Sequence, residues 1–188
     1  MALHIAFQSG KDAIYTTPLK ALNNQKFSEL RAIFGAENVG LLTGDMSINR
    51  GARITVMTTE VYRNMAWRAG NGNEKDDDFV DRELANVAAV VLDEFHYMGQ
   101  AGRGGVWEEC VITSPEHTQI IGLSATLPNA DQLSSWMQSV TSRETALVVA
   151  DGERPVPLRY FFGTRDGIEP LFSDIDAGPG SPKGAFLL

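Results

Sequence analysis

One cysteine, Cys110, is all the chain contains. That excludes an internal disulfide, and with it the small disulfide-stapled secreted folds. A lone thiol fits a reducing, intracellular compartment, and Cys110 reads as a small core residue on a helix. No apolar run approaches membrane-span length. Positive charge is scarce too: 16 Lys and Arg against 24 Asp and Glu leave a net charge of −8. A generic basic coat for nucleic acid is thereby excluded, so any such contact must use a local surface. The histidines His4, His96 and His117 and Cys110 lack metal-site spacing. There is no internal repeat, and the N-terminus shows neither a basic n-region nor an Arg/Ser-rich transit segment.

What is present is one domain's worth of chain, 188 residues with 43% hydrophobic, enough for a real core. Residues 1–8 have helical character and 13–16 read as a short strand. Residues 19–34 carry apolar side chains at helical spacing, with Gly35 as the stop. Strands follow at 39–42 and 54–57, and Thr58-Thr59-Glu60 opens a helix with a threonine hydroxyl available as N-cap. Residues 70–78 are Gly/Asn-rich, then acidic, and read as a solvated loop. A buried strand at 87–92, a helix at 104–112, a strand at 119–123, a helix at 131–140 and a strand at 146–149 complete the alternation. An extended segment follows at 158–162, and 174–183 is rich in Gly, Pro and Ser. Strand–helix alternation predicts a parallel sheet with right-handed crossovers.

The most informative stretch is 90–97, where Asp93, Glu94 and His96 follow a run of small and β-branched residues. Charged groups do not belong inside such a strand and should sit at its C-terminal end, where open α/β sheets bind ligands. Two carboxylates there can divide the labour: one holds a hydrated Mg²⁺, the other orients or deprotonates a water. A strand followed by a polar turn would look the same. Other segments decide between the two. Thr16 to Leu22, Thr58-Thr59-Glu60, Asp93-Glu94-Phe95-His96 and Ser124-Ala125-Thr126 all follow predicted strands. In a parallel sheet they emerge at one edge, and their hydroxyls, helix N-termini and carboxylates suit phosphate and metal chemistry.

Their order resembles the first RecA-like domain of a DExH-box RNA helicase of superfamily 2, specifically the superkiller-type branch. The resemblance is carried by residues 16–27, 41–49, 56–65, 92–98, 106–109, 123–130 and 154–158. It implies an α/β, RecA-like fold with a largely parallel sheet and helices on both faces. It also implies a partial ATP-binding domain at 1–172, followed by a flexible tail at 173–188. On this resemblance Asp93 holds the Mg²⁺ of ATP through water, and Glu94 positions the attacking water. His96 links the nucleotide site to Ser124, Ala125 and Thr126, which couple hydrolysis to strand movement. Thr17, Pro18, Lys20, Ala21, Gly44 and Thr59 match positions that lie along an RNA backbone. Contacts of that kind read no base edges and need no basic domain, so binding should be sequence-independent. RNA-processing complex proteins are the implied partners, with no membrane; nucleus, cytoplasm and organelles, the chloroplast included, stay open as locations.

One departure is large. Such a domain needs a phosphate-cradling G-x-x-x-x-G-K-S/T loop between a strand and a helix. The sequence contains none. Ser9-Gly10-Lys11 is followed by Asp12, lacks the upstream glycine and precedes a strand. The chain therefore reads as a motor domain without its P-loop and without the second RecA-like domain, and is expected to be inactive alone. Two other functions compete: a non-catalytic fold that binds RNA or a protein partner, and a metal-dependent hydrolase built on Asp93, Glu94 and His96. Trp67, Trp107 and Trp136 are expected on helix faces, with base stacking as the alternative. Of Glu108 and Glu109, one is expected to be a buried partner and one exposed.

Overall fold

A parallel sheet needs helices to return the chain, and each helix here carries the apolar spacing to do so. The computed structural model describes residues 1–70, 84–125, 127, 129–149, 159–165 and 167–172. Helix α1 (Ala2–Gln8) leads into β1 (Asp12–Thr17) and α2 (Lys20–Phe34), which stops at Gly35 with φ 90°. Strands β2 (Val39–Leu42), β3 (Ser47–Ile48) and β4 (Ile54–Thr58) precede α3 (Thr59–Gly70). Then come β5 (Val87–Leu92), a 3-10 turn (Phe95–Gly99), α4 (Gly105–Thr113), β6 (Gln119–Gly122) and α5 (Ala130–Thr141). The sheet order is β3-β2-β4-β1-β5-β6. Every neighbouring pair is parallel except β2 with the short β3. This is the parallel α/β sheet that the alternation predicts.

Strand alternation sends side chains to two cores. On one face Ala13, Tyr15, Ile54, Val56 and Val91 meet Leu3 and Ala6 of α1 and Phe27 and Leu30 of α2. On the other, Ile14, Met57, Val90 and Leu92 meet Tyr62, Met65 and Ala66 of α3 and Trp107, Cys110 and Val111 of α4. The last two triplets follow i, i+3, i+4, one apolar stripe per helix. Cys110 is fully buried in that core, as its helical setting predicts. Trp107 is fully buried and Trp136 packs against the same core, whereas Trp67 is 52% exposed.

The strand expected at 146–149 does not form. Val148 and Val149 are 89% and 62% exposed, and no ladder includes them. β-branched residues favour extended backbone, but a strand exists only where a neighbour supplies its hydrogen bonds. The chain divides into two units, Met1–Leu147 and Val148–Leu188. In the second unit β7 (Phe161–Gly163) pairs antiparallel with β8 (Ile168–Pro170). The acidic run at 76–78, Thr126, residues 154–157 and the tail at 173–188 lie outside the described residues.

Candidate functional site at the C-terminal edge of the sheet

Parallel register decides what meets what. Thr17 is opposite Thr58, Thr16 opposite Leu92, and Leu92 opposite Gly122. The chain therefore leaves β1 at Pro18, β4 at Thr59, β5 at Asp93 and β6 at Leu123-Ser124 along one edge. The β2 end adds Thr43-Gly44-Asp45. Backbone bonds tie the exits together: Asp93 N donates to Thr16 O (3.1 Å), Leu123 N to Leu92 O (3.0 Å) and Phe95 N to Leu123 O (2.7 Å). Gly122 lets the strand end pass close to Phe95: a Cβ there would lie 3.1 Å from the buried ring, which would have to shift by a few tenths of an ångström.

Asp93 and Glu94 are half-buried at this edge. Asp93 Oδ2 accepts from Tyr15 Oη (2.7 Å) and its Oδ1 accepts from Glu94 N (2.9 Å). Each oxygen accepts one of these bonds and retains further accepting capacity, so the carboxylate is held but not exhausted. Burial, with the Asp93 contact added, pushes the Tyr15 hydroxyl well above its ordinary range, so it stays a donor. Glu94 adopts left-handed backbone, φ 53° and ψ 45°. For a residue with a Cβ that costs about 1–2 kcal/mol, and such strain clusters at functional positions. His96 Nδ1 lies 3.3 Å from Glu94 Oε2, within ion-pair distance but without a hydrogen bond.

The other expected residues divide by exposure. Thr17 is fully buried; its Oγ1 lies 2.9 Å from Leu19 O and 2.9 Å from Asn23 Oδ1, so this hydroxyl is spent inside the turn. Pro18 is buried, while Lys20, Ala21 and Gly44 are exposed. Lys20 Nζ pairs with Asp45 Oδ1 at 2.9 Å, joining the turns after β1 and β2. Thr59 is buried, and its Oγ1 has no hydrogen-bond partner among the described residues. Ser124 and Ala125 are exposed beside the carboxylate turn. Glu109 pairs with Arg63 (2.7 Å) and Glu108 is exposed. The Ser9–Lys11 segment is the turn between α1 and β1, with Gly10 at φ 78°.

The sequence did not single out Tyr15 or Arg103. Tyr15 looks like any aromatic in a strand, and only the register of β1 beside β5 brings its hydroxyl to Asp93. Arg103 donates to Pro18 O and Glu60 Oε1, both at 3.1 Å.

Residues 1–133 match the family model described as DEAD/DEAH box helicase. The chain belongs to that helicase family. It is 46% identical over 169 residues to the DExH-box ATP-dependent RNA helicase DExH15 chloroplastic of Arabidopsis thaliana, covering 88% of this chain and 14% of that protein. It is 47% identical over 148 residues to the ATP-dependent RNA helicase mtr4 of Schizosaccharomyces pombe, covering 79% and 12%. The antiviral helicase SKI2 of Saccharomyces cerevisiae is 36% identical over 172 residues, covering 92% and 12%. The superkiller-type resemblance thus stands, and the chain spans under a fifth of these relatives' length. The solved structure of Mycobacterium smegmatis helicase Lhr bound to ssDNA and AMP-PNP matches with a TM-score of 0.51 at 22% identity. It covers 66% of this chain and 18% of that one, and shows the RecA-like fold.

Proposed function

We propose that this chain is the motor-domain portion of an ATP-dependent RNA helicase, coupling ATP hydrolysis to RNA unwinding or remodelling. The observation that carries the reading is the carboxylate pair at the shared strand edge. Asp93 is held by two donors, and Glu94 beside it is fixed in left-handed backbone. Bound Mg²⁺ would supply charge neutralisation for a transferring phosphoryl group. Asp93 suits holding it through water, since Mg²⁺ keeps most of its hydration shell and needs only one or two protein carboxylates beside substrate phosphates; the described residues contain no group of three or more His, Cys, Asp or Glu that could hold a metal ion. That donor set also speaks against a metal-dependent hydrolase. Glu94 suits orienting a water, with His96 close enough to respond to its charge. Ser124, Ala125 and Thr126 would relay that state, and Thr17, Pro18, Lys20, Ala21, Gly44 and Thr59 would line an RNA backbone. With Thr17 and Pro18 buried, exposed Lys20, Ala21 and Gly44 are the members open to direct contact.

The phosphate-cradling half of an ATP site does not fit these residues, because the sequence has no Gly-rich loop to supply it. That favours a second reading for the chain by itself: a RecA-like unit that binds RNA or a protein partner without turnover. RNA-processing complex proteins are the proposed partners; one relative, 40% identical, is Superkiller complex protein 2 of Mus musculus. No helix among the described residues is long and apolar enough to cross a membrane. The deciding experiment measures ATPase activity of the purified chain with and without single-stranded RNA, alongside RNA binding. We expect binding without RNA-stimulated hydrolysis. Turnover at ordinary helicase rates, abolished by Glu94→Gln, would overturn the second reading; absence of RNA binding would count against both.

A further inference from the structure

We propose that Arg103 is a positioning residue that clasps the RNA-facing segment after β1 to the carboxylate turn after β5. The proposal rests on the reading of residues 17–21 as an RNA-backbone segment. Three contacts carry it. Arg103 Nη2 donates to Pro18 O at 3.1 Å, inside that segment. The same nitrogen pairs with Glu60 Oε1 at 3.1 Å, in the first turn of α3 beside Thr59. The guanidinium carbon sits 5.5 Å from the centre of the Tyr97 ring. Tyr97 in turn stacks on fully buried Trp107 (5.6 Å between centres, 24° between planes) and lies 5.0 Å from His96. One cation therefore touches the exits of β1, β4 and β5.

The backbone that presents it is closely packed on one side, at Gly104. Gly102 has φ 81°, and a Cβ on Gly104 would run into the Met98 carbonyl oxygen. The loop is thus packed against the 3-10 turn that begins after Glu94, and a displacement of that turn moves Tyr97 and Arg103 together. Both contacts leave from Nη2, whose two protons can serve a carbonyl and a carboxylate at once while the guanidinium plane stays near the Tyr97 ring; lysine can supply donors but lacks that plane. The carbonyl it holds belongs to buried Pro18, directly before exposed Leu19, Lys20 and Ala21. Arg103 therefore sets the direction in which α2 begins and where Lys20 is presented, without itself being the RNA contact.

The test compares Arg103→Gln, Arg103→Lys and Glu60→Gln with the parent chain. Its readouts are site-resolved amide exchange, affinity for a 15-nucleotide oligo(U) RNA, and thermal stability. Asn23 N bonds Leu19 O in the first turn of α2, so amides 23–25 report the clasp. Arg103→Gln should speed exchange at 23–25 and weaken RNA binding, each by roughly five- to tenfold. Arg103→Lys should recover part of both, and Glu60→Gln should show a smaller loss. Amides of β2, which Arg103 does not touch, should keep their rates. Unchanged exchange at 23–25 overturns the clasp, and so does an equal acceleration in every element, which would mark a merely structural role. Faster exchange with undiminished RNA affinity overturns its link to RNA. If the parent chain binds no oligo(U), the RNA reading fails, and exchange alone then decides whether the clasp exists.

Discussion

The two edges of the same sheet are built to opposite rules. At the N-terminal edge, polar groups are spent on one another. Arg53 Nε donates to Asp12 Oδ1 (3.0 Å), its Nη2 to Phe7 O (3.2 Å) and Lys11 O (2.8 Å), and its guanidinium lies over the Phe7 ring. Asn86 Nδ2 takes the other Asp12 oxygen at 3.0 Å. At the C-terminal edge the account is left open. Thr16 and Thr59 bury hydroxyls that find no partner among the described residues, and Glu94 holds strained backbone. An unsatisfied buried hydroxyl costs about 1–3 kcal/mol, so the open edge is sustained by the two cores and the closed edge. A parallel sheet makes this division natural, since every strand exit, with its hydroxyls and carboxylates, lies at one end.

The sharpest test of that contrast is Glu94→Gln in a protein that joins this chain to a Gly-rich phosphate loop and a second motor domain. The amide keeps the shape and removes the group that organises water. RNA-stimulated ATPase activity should fall by about 100-fold or more, with RNA binding retained. Near-normal turnover would remove Glu94 from the chemistry and leave the strained turn without a function.

Alkaline stability separates the edges next. Burial pushes up the Cys110 thiol, the Tyr62 hydroxyl and the Tyr15 hydroxyl, the last of them the donor that holds Asp93 at the open edge. Each folded pKa lies above its unfolded value, so the native state holds protons that the unfolded chain releases. Their stabilisation is complete below the unfolded values, about 8.5 for Cys and 10 for Tyr, and is lost as pH rises through and above them. Unfolding free energy should drop by about 2–3 kcal/mol between pH 8 and pH 10. Urea melts across that range check it, and Cys110→Ala should remove the earliest part of the fall. A flat profile would contradict the burial of these groups.

The closed edge should behave as structure alone. Arg53→Met leaves Asp12 with Asn86 alone and takes a donor from the Phe7 and Lys11 carbonyls, and should cost about 1–2 kcal/mol in urea unfolding, the group being partly solvated. RNA affinity should stay within roughly twofold, since the site at the other end is untouched. A binding loss matching that of Arg103→Gln would erase the distinction between the edges.

The smallest effect concerns relay. Replacing Ser124 and Thr126 with Ala in the joined protein should leave ATP hydrolysis largely intact and slow duplex unwinding. Hydroxyl bonds of this kind are worth on the order of 1 kcal/mol each, enough to bias a switch. Parallel loss of both rates would assign these residues to the chemistry or the fold.

Much of this was legible in the chain itself. Uninterrupted Val87–Leu92 declares a strand buried on both faces, and Asp93-Glu94 must then lie at its end. Tyr62, Met65 and Ala66 declare the inner stripe of α3 in the same way. These are local matters, fixed by the period of the backbone and the dislike of apolar groups for water. Residues 146–149 mark the limit: their composition says strand, but a strand is a pairing, and no partner is present among the described residues. The Tyr15 hydroxyl on Asp93, the inward turn of Thr17 and the reach of Arg103 to Pro18 were likewise invisible, joining positions 78, 6 and 85 residues apart. By itself the sequence determined the element order, the family and which carboxylates stand at a strand exit, because each follows from neighbours along the chain. Only the tertiary structure decided which donors aim those carboxylates and which threonines are buried, because register and packing choose among side chains that local chemistry leaves equivalent.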